Sequence, residues 1–195
     1  MKSQYADLTY VDPKKGVWYS IYDSVMLNLS PPDPSSCSRR LDPKSKLEHR
    51  QAALFAFGRS LLAKDASLRF AMVPNQHDSV DTVLRSESKP GAFSYEPVQL
   101  KELVPETVGP EQTLDGLLGS ITKRYCSGEK LTIAIHMNRD LVTTLGTLKA
   151  QLSGITFWLF GLNGRNRGFI VRDPFAQFEM YEFNIPKPPS SLTQW

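Results

Sequence analysis

The sequence predicts a mixed α/β fold, a central β-sheet flanked by helices, and three observations carry that expectation. Two stretches, 45–64 and 111–125, repeat apolar residues at helical spacing. Short β-prone stretches lie between and after them, separated by turn-forming residues. A three-strand meander followed by a helix and a return strand then calls for a mixed sheet with helices on its faces.

Composition bounds the reading without deciding it. A chain of 195 residues suits one domain with appendages, and 41% hydrophobic against 22% charged residues allows a real core. A net charge of +3 permits a phosphate-bearing partner and does not require one. Cys37 and Cys126 are too few for a disulfide framework, and neither belongs to a CxxC or Cys/His cluster, which points to a reducing cytoplasm. No apolar run follows Met1-Lys2, so no secretory signal is expected. The apolar stretch 155–162 is far too short to span a bilayer, so no membrane role is expected.

The elements follow in order. Tyr5, Tyr10, Trp18, Tyr19 and Tyr22 are expected to pack as a cap or hairpin, and 31–44 is a Pro/Ser-rich linker. Residues 1–44 therefore form an N-terminal extension, 45–185 the α/β domain, and 186–195 a flexible tail. Helix 45–64 places Leu47, Leu54, Phe55, Gly58, Leu61 and Leu62 on one stripe. Strands are expected at 68–73, 80–85 and 93–103, the last two joined through Ser88-Lys89-Pro90-Gly91. Leu114, Leu117, Leu118 and Ile121 give helix 111–125 its core face, and 131–137 alternates as a strand. A further helix is expected at 141–152, then strands 155–160 and 168–171 around Asn163-Gly164, and an edge strand at 180–185.

The chemistry concentrates on two neighbouring strands. Asp81 lies on one, and the next reads Pro97-Val98-Gln99-Leu100-Lys101. Alternation points Gln99 and Lys101 one way and sends Val98 and Leu100 into the core. Pro97 within a strand implies an edge position or a bulge. An acid and a polar-x-Lys pair can thus converge at one sheet edge.

Asp81 followed by Gln99-Leu100-Lys101, with a helix before and a helix-strand after, resembles the PD-(D/E)XK nuclease superfamily in its glutamine-x-lysine variant. The resemblance covers roughly residues 45–137. It implies a restriction-endonuclease-like core (αβββαβ) with N-terminal and C-terminal extensions, a DNA partner, and a Mg²⁺ or Mn²⁺ cofactor. On matching positions, Asp81 would be the principal metal ligand and Gln99 a weaker one through its carbonyl. Lys101 would orient or deprotonate the attacking water, and Glu48 matches an acid that the family places on its first helix. Hard oxygen ligands suit Mg²⁺, and exchanging a carboxylate for Gln99 should weaken its affinity.

Each residue also has a plainer role. Asp81 suits a strand-end turn, Lys101 an exposed strand, and Glu48 a capping box with Ser45. Lys123, Arg124, Arg165 and Arg167 are candidates for phosphate contacts, with solvated basic positions as the alternative. His136 reads as a satisfied core histidine. The expected function is a metal-dependent deoxyribonuclease. A non-catalytic nucleic-acid- or protein-binding module on the same fold, or an unrelated α/β interaction protein, are the alternatives. A homodimer is compatible with the chain and not derivable from it.

Overall fold

The structure is a computed structural model, and it describes residues 3–18, 43–74, 80–124, 131–139, 155–164, 166–174 and 179–187. Helix α1 spans Pro43–Leu62; strands β1 (Arg69–Met72), β2 (Thr82–Lys89) and β3 (Ala92–Leu103) follow it. Helix α2 (Leu114–Arg124) leads to β4 (Leu131–Met137), then β5 (Ile155–Leu162), β6 (Arg167–Arg172) and β7 (Met180–Asn184). The helix expected at 141–152 lies outside the described residues. Among the described residues, no helix is long and apolar enough to cross a membrane.

The strands form one mixed sheet in the order β1-β2-β3-β4-β5-β6-β7. Neighbours are antiparallel except at β3/β4 and β4/β5, which are parallel. A parallel neighbour needs a crossover, and α2 supplies it between β3 and β4. The fold is therefore α/β with a mixed sheet, as the sequence leads one to expect.

Period-two alternation divides the sheet into two faces. Leu84, Val98, Leu100, Ala134, Trp158, Phe160, Ile170 and Phe183 pack against α1. Val83, Leu103, Ile133, Ile135, Phe157, Leu159 and Val171 pack on the other face, where Leu114, Leu118 and Ile121 of α2 join them.

Helix α1 departs from a simple amphipathic stripe. Residues 51–57 are all buried, whereas Leu47 and Leu62 are 40% and 39% exposed. The sheet covers one side of the helix centre and the N-terminal segment lies alongside. Val17 belongs to the same core, and a Cβ on Gly16 would stand 2.8 Å from the Phe70 ring and 3.0 Å from the Ala53 Cβ. Val11 bridges Phe70, and the Trp18 indole donates to the Pro186 carbonyl at 3.0 Å. Tyr10 lies 6.2 Å from Tyr95, ring to ring; Tyr19 and Tyr22 are outside the described residues.

Pro97 lies on a strand that is interior in the sheet order and away from the register shift at Glu87/Lys89, but at a locally open edge of it. The Val98 carbonyl faces β2, accepting from the Asp81 amide at 3.0 Å. Pro97 therefore turns its backbone the other way, toward β4, where pairing starts only at Val98. Among the described residues its missing N–H leaves no ladder bond unmade.

Candidate functional site

The site forms where β2 and β3 part. Thr82 pairs with Val98, but β3 runs on to Leu103 with no continuation of β2 beside it. An exposed Leu100 N–H would be left in this notch. Asp81 meets it, its Oδ2 accepting from the Leu100 amide at 2.7 Å and from Gln99 Nε2. A residue read from sequence as a strand end thus caps an open sheet edge with a carboxylate.

A cavity of about 380 Å³ occupies the notch, lined by Asp81 just before β2, Gln99, Lys101 and Glu102 of β3, Lys44, Glu48 and Gln51 from α1, and Arg124 from α2. Asp81, Gln99, Lys101 and Glu48 therefore share one cavity. Gln99 is only 7% exposed, and Val98 and Leu100 are buried on the α1 face as alternation requires.

Of the basic candidates, Arg124 reaches the rim of this cavity, whereas Lys123 is exposed on α2 and is not among its lining residues. Arg167 lies on β6, three strands from β3, 3.9 Å from Glu182 in an exposed ion pair. Arg165 is outside the described residues.

Glu48 does not take the capping-box role. Helix α1 begins at Pro43, so Ser45 already lies inside the first turn, and Glu48 sits 3.7 Å from Lys44 in an (i, i+4) pair. Lys44, Glu48 and Gln51 follow at i, i+4 and i+7, one polar row turned to the notch. That spacing was readable in the sequence and marks Lys44 and Gln51 as site residues the motif alone misses. Glu102, next to Lys101, is the other addition.

Burial works against the charges of both Asp81 and Lys101. Burial pushes the Asp81 carboxyl above its usual range, opposed by the Leu100 amide, by Lys101 and by Gln99. Burial likewise lowers the Lys101 ammonium, and Arg124 and Lys44 add to this while Asp81 and Glu48 oppose it. Two groups shifted toward neutrality in one cleft are a mark of a chemical site. Glu102 moves the other way. His136 first, then Asn138 and Gln51, hold it below the usual carboxylate range against the effect of burial.

The donor set fits a divalent cation that keeps most of its water shell. Among the described residues both hydrogen bonds to Asp81 fall on Oδ2, which leaves Oδ1 to meet a cation. Glu48 adds a second carboxylate and Gln99 a carbonyl, within the one-or-two-carboxylate pattern that Mg²⁺ accepts. No group of three His, Cys, Asp or Glu able to hold a metal occurs among the described residues, so an all-protein cage does not fit.

His136 meets the expectation of a satisfied core histidine in part, with the Glu102 carboxylate as its ionic neighbour. Its Nδ1 is buried without a hydrogen-bond partner among the described residues, 3.8 Å from Glu102 Oε1, and its ring lies 5.2 Å from Phe160. Comparison with protein-family models, curated proteins and solved structures finds no match for this chain.

Proposed function

We propose that this protein is a metal-dependent phosphodiesterase that cleaves DNA, built on a PD-(D/E)XK core in its glutamine-x-lysine form. The observation that carries the reading is the convergence of Asp81, just before β2, with Gln99 and Lys101 of β3 in one cavity with Glu48. The order α1-β1-β2-β3-α2-β4, with β1 to β3 antiparallel and β4 parallel to β3, supports an αβββαβ core.

The chain's residues divide the work by their chemistry. A divalent metal held through Asp81 and the Gln99 carbonyl would acidify a water and offset phosphate charge. Asp81 is pre-aimed, because a main-chain amide pins one of its oxygens. Burial lowers the Lys101 ammonium, so that its neutral amine would take a proton from the attacking water and the ammonium so formed would neutralise a phosphate oxygen. Arg124 and Lys44 add cations at the rim, where flanking phosphates would pass.

The test is incubation of supercoiled plasmid and short linear duplexes with Mg²⁺, with Mn²⁺ and with EDTA. Metal-dependent nicking is expected, abolished in Asp81→Ala and Lys101→Ala while circular dichroism shows both still folded. Cleavage that survives both substitutions would come from a contaminating nuclease.

A second reading, a non-catalytic nucleic-acid-binding module on the same fold, is favoured by one observation. The Gln99 amide donates to Asp81 where the family's common form has a second carboxylate. DNA binding indifferent to EDTA, without cleavage or metal-induced stabilisation under any metal, selects it.

A further inference from the structure

A second cavity, of about 310 Å³, opens at the same end of the sheet, between α1 and the C-terminal ends of β4 and β5. Leu47 and Gln51 line both this cavity and the Asp81 cavity, so the two adjoin across one turn of α1. Their charges differ. In the first, Asp81, Glu48 and Glu102 accompany Lys44, Lys101 and Arg124. The second is lined by Arg50, Arg139 and His136, and among the described residues no carboxylate lines it.

The two arginines are held differently. Arg139 follows β4, and main-chain carbonyls fix its guanidinium. Its Nε donates to the Val104 carbonyl at 2.8 Å, and its Nη2 donates to Val104 and, at 3.1 Å, to Gly109. Carbonyl dipoles orient a guanidinium without cancelling its charge, and among the described residues Nη1 makes no hydrogen bond. Arg50 is exposed on α1, and among the described residues its side chain has neither a hydrogen bond nor an ion pair. His136 is already answered, because its Nδ1 lies 3.8 Å from Glu102 Oε1. Leu47, Leu54 and Leu162 supply apolar wall, which lowers the local dielectric and strengthens the pull of the arginines on an anion. Two guanidinium forks without a carboxylate between them match a phosphate group.

We propose that Arg139 and Arg50 hold a phosphate of the nucleic-acid strand, a neighbour of the phosphate at Lys101. The inference rests on the phosphodiesterase reading, because the strand that enters the first cavity is what carries a phosphate into the second. The spacing suits it. One turn of α1 rises about 5.4 Å, and successive phosphates of a duplex strand rise about 3.4 Å along the axis. A strand held at two points resists sliding past Asp81, so the second phosphate sets which bond is presented for cleavage.

The test is binding of the full chain to a short single-stranded oligonucleotide in EDTA, where metal-dependent hydrolysis cannot run. Fluorescence anisotropy follows it across a salt series. Arg50→Gln and Arg139→Gln should each weaken binding roughly tenfold, the order of one charge-assisted contact. Each should also flatten the slope of log Kd against log salt by about 0.7, one single-strand phosphate contact. Arg50 is exposed, so its variant guards against loss of folding in the other. Arg167→Gln on β6 removes the same charge and should change neither quantity. Oligonucleotides in which one phosphate at a time is an uncharged methylphosphonate then locate the contact. One position should cost the wild type affinity and cost Arg50→Gln nothing.

Equal losses in Arg167→Gln, or a methylphosphonate profile unaltered in Arg50→Gln, overturn the proposal. Inorganic phosphate that binds as tightly as the strand, with the same losses in the variants, assigns the cavity to a free anion and overturns it too. Metal-dependent cleavage without that coupling counts against the second phosphate and leaves the phosphodiesterase standing. Coupling without cleavage under any metal supports the second phosphate and counts against the phosphodiesterase.

Discussion

The two ends of the sheet carry charged clefts of similar make-up and opposite condition. Where β4 and β5 begin, a cleft of about 590 Å³ is lined by Arg59, Glu96, Thr132, Trp158 and Arg172. Arg59 grips Glu96 through bonds of 2.9 and 3.0 Å, Thr132 donates to Glu96 at 2.7 Å, and the Arg59 guanidinium lies 4.3 Å over the Trp158 ring. Its central charges are matched. At the other end the cavity is smaller, about 380 Å³, yet burial drives Asp81 up and Lys101 down. Size therefore does not mark the site. Incompletely compensated charge does, because it is what a metal and a phosphate would relieve.

The largest effect expected from this contrast is on chemistry. Asp81→Ala and Lys101→Ala should each lower metal-dependent cleavage at least about a hundredfold, the scale of losing one preorganised charge. Arg59→Ala, at the matched end, should leave cleavage per folded molecule unchanged and cost about 1–3 kcal/mol of stability by stranding Glu96. Plasmid nicking and urea unfolding on the same preparations separate the two outcomes. A cleft at the Arg59 end that mattered to cleavage would break the comparison.

Packing supplies the next effect. Leu100→Ala should destabilise by about 2–5 kcal/mol, because Leu100 is buried under α1. Lys101→Ala, one residue along on the opposite face, should cost under about 1 kcal/mol. Reversal of that ranking in denaturant unfolding would mean the strand register is wrong.

A smaller effect sharpens the contrast within the site. Gln99→Glu would set a carboxylate where an amide now donates to Asp81. In EDTA it should lower Tm by roughly 2–4 °C, the equivalent of about 1 kcal/mol. With Mg²⁺ its metal-induced rise in Tm should exceed that of the wild type, since a hard anionic ligand has been added. Equal Tm in EDTA would show that the Gln99–Asp81 bond carries no weight.

The smallest effect is a pH dependence. The folded value of Asp81 is raised above its unfolded value by burial. Its contribution to stability is therefore fully present below the unfolded value and is lost as pH rises through the folded one. Asp81→Asn should be more stable than the wild type at pH 7, and that advantage should vanish below the carboxylate range. Thermal melts across pH check the sign, and an advantage that grows in acid would refute the assignment of burial as the cause.

Much of the fold was legible, but unevenly. Strand β4 lies at Leu131–Met137, where alternation placed it, because both of its faces are decided by local apolar pattern. Strand β2 was expected to stop at Arg85 yet continues to Lys89. Residues 86–89 carry no apolar alternation; they are strand because their backbone pairs with β3 across the Gly91 turn, whose φ of +78° suits glycine. Helix α2 starts at Leu114 rather than 111, since Thr113 caps it, its Oγ1 accepting from the Gly116 amide at 3.0 Å. Helix 141–152 and Arg165 lie outside the described residues.

By itself the sequence determined the order of the described elements from α1 to β7, the two faces of the sheet and the Asp81 and Gln99-x-Lys101 pairing of residue types, because each follows from periodicity and spacing within a few residues. Only the tertiary structure decided that β2 ends two residues before Leu100 needs a partner, which turns Asp81 into a cap and opens a cavity. It also decided that Gln51, Glu102 and His136 meet, from a helix and two parallel strands. The reason is physical. Such contacts join residues tens of positions apart, and no local propensity encodes which strand stops first or which side chains a helix brings over a strand end.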